Sequence, residues 1–177
     1  MVPTAIEAGI LVLVAALFVD RLVGDPHSAW HPVAILGTFI GWWGKPDKYP
    51  SRLQRFIGVA FWLATATLFA FPFFYVAAVS PWYVYLIAGP FLLKSCFAWR
   101  ALEDHTTAVV AALKNGVEDG RAQVKMLVSR ETAHLGREQI LSAGYESMTE
   151  NITDSIISPL FYFTLFGLTG AAVCRAA

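Results

Sequence analysis

Long apolar segments constrain this sequence more than any other feature, because each has the length of a membrane-spanning helix. The longest covers residues 53–79, and a short Ser80-Pro81 turn separates it from the next, at 82–99. About 20 residues are needed to cross a ~30 Å hydrocarbon core at ~1.5 Å per residue. We therefore predict an all-α, polytopic integral membrane protein that forms a single membrane domain over residues 1–177. Its predicted spans are 5–23, 53–79, 82–99 and 156–175.

The overall composition supports this class of protein. Hydrophobic residues make up 56% of the chain, above the roughly 45–50% of soluble domains. The net charge is zero, which gives no electrostatic reason to expect a nucleic-acid partner. No Lys or Arg precedes Arg21, so the basic start of a signal peptide is missing and we expect the first apolar segment to be retained. Cys96 and Cys174 lie in apolar stretches and are predicted to be small buried residues without a disulfide.

Basic residues set the predicted orientation in the cell membrane. They are concentrated in the two polar segments, 24–52 and 100–155. The positive-inside rule places both segments in the cytoplasm and the N-terminus outside. Charges at the ends of spans, such as Asp20 and Lys94, are expected to reach the headgroup layer.

The second polar segment has the periodicity of amphipathic helices. Residues 100–115 form one, and Asn115-Gly116 is a suitable C-terminal cap. Asp119 is expected to cap a second, short helix, and a third covers 137–154. Pro159 is then expected to start or kink the last membrane helix.

Three carboxylates recur every four residues on that third helix: Glu146, Glu150 and Asp154. Residues four apart lie on one helix face, so the acids form a stripe, and Asn151 lies beside it. The stripe is expected to border the packed side of the helix and to come closest to it at Asp154. Two interpretations follow: a solvated helix face, or a site for a metal or a cationic substrate group.

A second group of polar residues follows the first span. Asp25 lies in a Gly-Asp-Pro turn, and His31 precedes Pro32. His27 and His31 have the spacing of helical metal ligands, but the flanking prolines argue against a zinc site. Because both polar segments are predicted to be cytoplasmic, they could contribute to one site.

Taken together and in order, these motifs resemble the adenosylcobinamide-phosphate synthase family, an integral-membrane enzyme of cobalamin biosynthesis. The resemblance runs over the whole chain. This sequence differs from the family in one respect. Members of the family continue beyond the position of Ala177 with an Asn-Thr-hydrophobic-Asp motif, so part of the site is expected to lie outside residues 1–177. The motifs are Gly24-Asp25-Pro26, His31-Pro32-Val33, Ser129-Arg130-Glu131-Thr132 with Leu135, Glu146-Ser147-x-x-Glu150-Asn151-x-x-Asp154 and Pro159-Leu160-Phe161.

The resemblance implies a carbon–nitrogen ligase that uses ATP and Mg²⁺. It would join adenosylcobyric acid to (R)-1-aminopropan-2-ol or its O-phosphate at the membrane, with a homo-oligomer as a possible state. Hard carboxylate oxygens suit Mg²⁺, and an arginine suits a phosphate or a propionate, although Arg130 could equally pair with lipid headgroups. The resulting assignments are catalytic Asp25, His31, Glu146 and Asn151; substrate-binding Ser129, Arg130 and Glu131; and metal-binding Glu150 and Asp154.

Two other classes of protein fit the same helices, a transporter and a membrane sensor without catalysis. The sequence contains neither a Walker P-loop nor a dinucleotide fingerprint. Intramembrane acids typically mark transport pathways, but the second and third predicted spans contain none. The position of the acids therefore favours an enzyme.

Overall fold

A computed structural model describes residues 2–24 and 32–177 of the chain. Within these ranges the protein is all-helical, as predicted, and the connections include a 3₁₀ turn at Pro46–Lys48 and a π-helical turn at Thr153–Ile157. The predicted site residues Asp25 and His31, and the neighbouring His27, lie outside the described residues. The helices are α1 Ala5–Val23, α2 Pro32–Trp43, α3 Gln54–Ala78, α4 Trp82–Lys94, α5 Trp99–Asn115, α6 Val117–Val124, α7 Arg137–Ile152 and α8 Ser158–Ala176.

The chain divides into two compact units, which we describe separately. The apolar unit consists of Met1–Phe97 together with Ser158–Ala177, and the polar unit is Ala98–Ile157. The polar unit begins and ends close to the limits predicted for the second polar segment, 100–155. Its location on the cytoplasmic side of a membrane stays a prediction.

The interior of the apolar unit combines many small residues with a few large ones such as Phe73 and Leu93, and large apolar side chains cover its outside. At Gly89 an added Cβ would lie only 3.0 Å from the Val12 side chain, so α1 and α4 approach closely. Small residues at contacts and large ones outside are typical of helices packed in lipid. Buried small residues are Ala8, Ala16, Ala66, Ala70, Ala171 and Ala172, and exposed large ones include Ile6, Phe18, Phe56, Leu68, Phe71, Phe91 and Phe166.

By length and composition alone, two helical stretches are long and apolar enough to cross a membrane: Gln54–Ala78 and Arg137–Ala176. The all-helical, membrane-type character of the chain is therefore supported, whereas four spans are not confirmed. The third predicted span, 82–99, is shorter than expected, since α4 has 13 residues and ends at Lys94.

The charges predicted to reach the headgroups are instead buried against each other. Lys94 Nζ lies 2.9 Å from Asp20 Oδ1, and the two side chains are 6% and 1% exposed. Each residue is near the C-terminal end of its helix, so α1 and α4 run parallel. The pairing explains why the prediction for these two residues was wrong: each charge is neutralised inside the protein, so neither needs to extend to water.

The last helix is broken, which corrects the prediction of a continuous span at 156–175. Gly167 has φ 64° and ψ −157°, a region that essentially only glycine occupies. A Cβ added at Gly170 would lie 2.5 Å from the carbonyl oxygen of Tyr162, eight residues earlier. In a continuous helix these residues would be about 12 Å apart. The chain therefore folds back on itself at Gly167.

The polar unit has its own small core between α5, α6 and α7, as the amphipathic pattern predicted. Val109, Leu113, Val124 and Ile140 are buried in it. Gly116 donates its N–H to Ala112 at the end of α5, which confirms the predicted cap. Asp119 does not cap α6, because that helix already begins at Val117 and Asp119 lies in its first turn.

The π-helical turn after α7 is explained by Pro159. A proline cannot donate to the carbonyl four residues earlier and its ring clashes with that carbonyl. That carbonyl, of Ser155, instead accepts a hydrogen bond from the N–H of Ala98 at 3.1 Å. The bond also holds the two ends of the polar unit together. Pro159 thus marks the start of α8, one of the two expected outcomes.

Candidate functional site

The candidate site is an open pocket in the polar unit, where the connection between α6 and α7 crosses α7. Its volume is about 230 Å³. One side comes from the connection and the other from α7. The lining residues are Leu127, Val128, Ser129, Arg130, Ala143, Glu146, Ser147 and Glu150.

Two sets of hydrogen bonds fix the connection that carries Ser129 and Arg130. Buried Ser147 donates from Oγ to the carbonyl of Leu127 at 3.1 Å. At the other end, Arg121 Nε donates to the carbonyl of Leu135 at 2.8 Å, and Leu135 packs in the core of the unit. The connection is therefore held on both sides of Arg130.

Arg130 and Glu146 form an ion pair at the mouth of the pocket. Arg130 Nη2 lies 2.6 Å from Glu146 Oε2, and the side chains are 51% and 65% exposed. An exposed pair of this kind contributes only about 0–1 kcal/mol to stability. The guanidinium has five N–H donors and uses one of them here within the described residues. It therefore retains donors for an anionic ligand.

Asn151 takes part in an internal hydrogen-bond chain. Its Nδ2 donates to the Ser147 carbonyl at 2.8 Å and to Ser147 Oγ at 3.3 Å. Its Oδ1 accepts from Ser155 Oγ at 3.3 Å. The Asn151 amide thus supports Ser147, the residue that holds the Leu127 carbonyl.

Glu150 and Asp154 are exposed, and neither carboxylate has a hydrogen bond or an ion pair among the described residues. The expectation that the stripe comes closest to the packed face at Asp154 is wrong. Asp154 belongs to the π-helical turn, whose extra residue per turn changes which face a side chain occupies.

The described residues contain no cluster of three or more His, Cys, Asp or Glu side chains that would form a complete metal site. Mg²⁺ does not require one, because it is usually held by one or two carboxylates together with waters and substrate phosphates. Glu150 and Asp154 are hard oxygen donors of the kind that Mg²⁺ prefers. Glu150 lines the pocket, whereas Asp154 does not, so a magnesium ion held by both carboxylates stays a prediction.

The structure brings together four of the predicted site residues: Ser129, Arg130, Glu146 and Glu150. Glu131 is exposed and does not line the pocket, although it is next to Arg130. Ser147 was predicted to lie on the packed side of the helix, but its hydrogen bond to the Leu127 carbonyl was not predicted. Its buried hydroxyl was the available signal, since a buried hydroxyl needs a partner.

The chain thus combines an apolar helical unit of membrane type with a polar unit that carries a pocket lined by charged side chains. The chain matches the family described as CobD/CbiB protein over residues 13–177. It therefore belongs to the CobD/CbiB family, which agrees with the resemblance found in the sequence.

Its curated relatives are named as cobalamin biosynthesis proteins CobD. The chain is 37% identical over 164 residues to the "Probable cobalamin biosynthesis protein CobD" of Methanothermobacter thermautotrophicus, covering 93% of this chain and 54% of that protein. It is 36% identical to the protein of that name in Pyrococcus furiosus, covering 94% and 57%. The "Cobalamin biosynthesis protein CobD" of Dehalococcoides mccartyi is 30% identical, with 94% and 56% covered.

The chain thus spans about half the length of the curated relatives it matches. No solved structure matches it.

Proposed function

We propose that this chain takes part in cobalamin biosynthesis by an ATP-dependent amide ligation. The substrates would be adenosylcobyric acid and (R)-1-aminopropan-2-ol or its O-phosphate. Family membership supports the pathway. The observation that supports the chemistry is the Glu150 carboxylate, which lines the same pocket as the Arg130–Glu146 ion pair and has no side-chain partner among the described residues.

The proposed reaction has two balanced steps. An oxygen of the substrate carboxylate attacks the γ-phosphorus of ATP, which gives an acyl phosphate and releases ADP. The amine nitrogen then attacks the acyl carbon, phosphate leaves, and the amine loses a proton to a nearby base. Mg²⁺, when bound, would neutralise the phosphate charge.

The residues of the pocket suit particular parts of these steps. Arg130 can hold a phosphate or the propionate through its remaining N–H donors, and the Ser129 hydroxyl lies next to it. Glu146 is a carboxylate that can accept the proton of the amine. Asn151 acts in this proposal by supporting Ser147. Glu131, Asp25 and His31 remain proposed site residues.

The first test is a ligation assay on the detergent-purified chain with adenosylcobyric acid, aminopropanol phosphate and Mg-ATP. Mass spectrometry would detect the amide. Asp154→Asn removes a carboxylate charge without changing side-chain size, and we expect it to abolish the magnesium-dependent product. If a chain extended to the length of the relatives is folded and also silent, the ligase proposal is wrong and a sensor or transporter is favoured.

A second prediction separates catalysis from stability at the ion pair. Arg130→Gln should lower ligation strongly while changing the free energy of unfolding by no more than about 1 kcal/mol, because the pair is exposed. Initial rates and a denaturant titration would measure both effects.

The control is Asp104→Asn, which removes an exposed ion pair, 3.7 Å to Arg100 within α5, away from the pocket. It should leave the rate unchanged. Equal loss of activity in both variants would contradict a role for Arg130 in substrate binding.

A further inference from the structure

The contacts at the start, the middle and the end of α8 define its path within the apolar unit. Its first half, residues 158–166, begins next to the chain that leaves α4, because the Ala98–Ser155 hydrogen bond holds those two points together. Its midpoint, at Phe163 and Gly167, lines a cavity with Tyr85 and the first half of α1. Tyr85 is close to the Ser80 turn, so this half runs from the end of α4 back toward its beginning.

The second half, residues 168–176, returns in the opposite direction. Ala176 packs with Ala66 of α3. Arg175 is close enough to Cys96, just past the end of α4, for its charge to act on that thiol. The contact between Gly170 and Tyr162 joins the two halves near the bend. Both ends of α8 therefore lie toward the Lys94 end of α4.

The length of each half agrees with such a path. Nine residues extend about 13 Å, which is less than half of a ~30 Å hydrocarbon core. Non-helical backbone at membrane depth is tolerated where protein surrounds it or a cavity lies beside it. Gly167 is half-buried and lines a cavity of about 390 Å³.

We propose that α8 is a re-entrant hairpin that enters and leaves the membrane on the same face. Gly167 forms its turn and Gly170 its closest internal contact. The hairpin carries Arg175 and Ala177 to the face where α1 and α4 end. By the charge distribution of the sequence this is the cytoplasmic face.

Cysteine accessibility tests this topology. Cys96 and Cys174 would first be replaced by alanine, and single cysteines introduced at Ala177, Ser51 or Ser80. Ser51 and Ser80 bracket α3, which has 25 residues and is long enough to cross. A membrane-impermeant maleimide would be applied to intact cells and to inverted vesicles.

Ala177→Cys is expected to react in the same preparation as Ser51→Cys and to be protected where Ser80→Cys reacts. Reaction together with Ser80→Cys would mean that α8 crosses the membrane as a single span, which would overturn the proposal.

A second measurement covers the case in which position 177 is shielded from the reagent. In the cysteine-free background, the pair Ala66→Cys and Ala176→Cys should form a disulfide with a mild oxidant, because both residues belong to one buried cluster. A pair at Val79 and Ala176 should not. The reverse result, with the 79–176 pair cross-linked, would contradict a hairpin whatever the labelling shows.

Discussion

Lys94→Met is expected to destabilise the apolar unit by about 3–5 kcal/mol, the usual cost of removing one partner of a buried ion pair. The substitution keeps most of the side-chain volume but leaves the Asp20 carboxylate, 1% exposed, without the ammonium that lies 2.9 Å away. Asp20→Asn should also destabilise, because it removes the negative charge that lies 2.9 Å from the buried ammonium of Lys94. Unfolding of the detergent-solubilised protein by increasing fractions of sodium dodecyl sulfate would measure both variants.

The double variant Asp20→Leu with Lys94→Met provides the decisive comparison. Replacing a buried pair by apolar residues of similar volume is often neutral or stabilising, so the double variant should recover most of the stability lost by Lys94→Met. Arg52→Met, at an exposed position before α3, is the control for loss of a positive charge. If Lys94→Met unfolds like Arg52→Met, the pair is not buried in the folded protein.

The helices of the polar unit were predictable because two independent signals agreed there. Leu113 and Ile140 follow a helical period, and Gly116 stops α5 where the pattern ends. Alternation between polar and apolar residues shows which side of a helix is packed. The largest boundary error discussed above is at the start of α6, which begins at Val117, three residues before the start that a cap at Asp119 implies.

The apolar unit has no such alternation, and this explains why several predictions for it were wrong. In a segment where almost every residue is apolar, hydrophobicity does not show a break, so Gly167 was read as part of a span. The Asp20–Lys94 pair joins helices far apart in sequence, and only packing reveals that they meet. The helix at Pro32–Trp43 was also missed, because its glycines and prolines resemble a loop.

The features of the candidate site that depend on the spacing within one helix could be predicted from the sequence. Those that depend on contacts between side chains could not. The spacing of Glu146 and Glu150 predicted their shared face. The spacing does not show that Arg130 would reach Glu146, nor that Asn151 would bond to Ser147. The π-helical turn moved Asp154 out of the predicted register, and it follows from the effect of Pro159 four residues after Ser155.

Gly167→Ala and Gly170→Ala are expected to destabilise the apolar unit strongly, by about 1–3 kcal/mol or more each. At Gly167 the cost is backbone strain, since φ 64° with ψ −157° is a conformation that alanine rarely adopts. At Gly170 the cost is a clash, because the new Cβ would lie 2.5 Å from the Tyr162 carbonyl oxygen. That oxygen belongs to the backbone and cannot move away as a flexible side chain could.

Gly9→Ala in α1 is the matched control, since nothing lies within 4 Å of a Cβ added there. It should be neutral or stabilise by up to about 1 kcal/mol, the usual gain when alanine replaces glycine within a helix. The same gain would be expected at Gly167 if α8 were a straight span. The sign of the change therefore decides between the two structures: destabilisation by Gly167→Ala in a detergent unfolding titration indicates the hairpin, and stabilisation indicates a continuous helix.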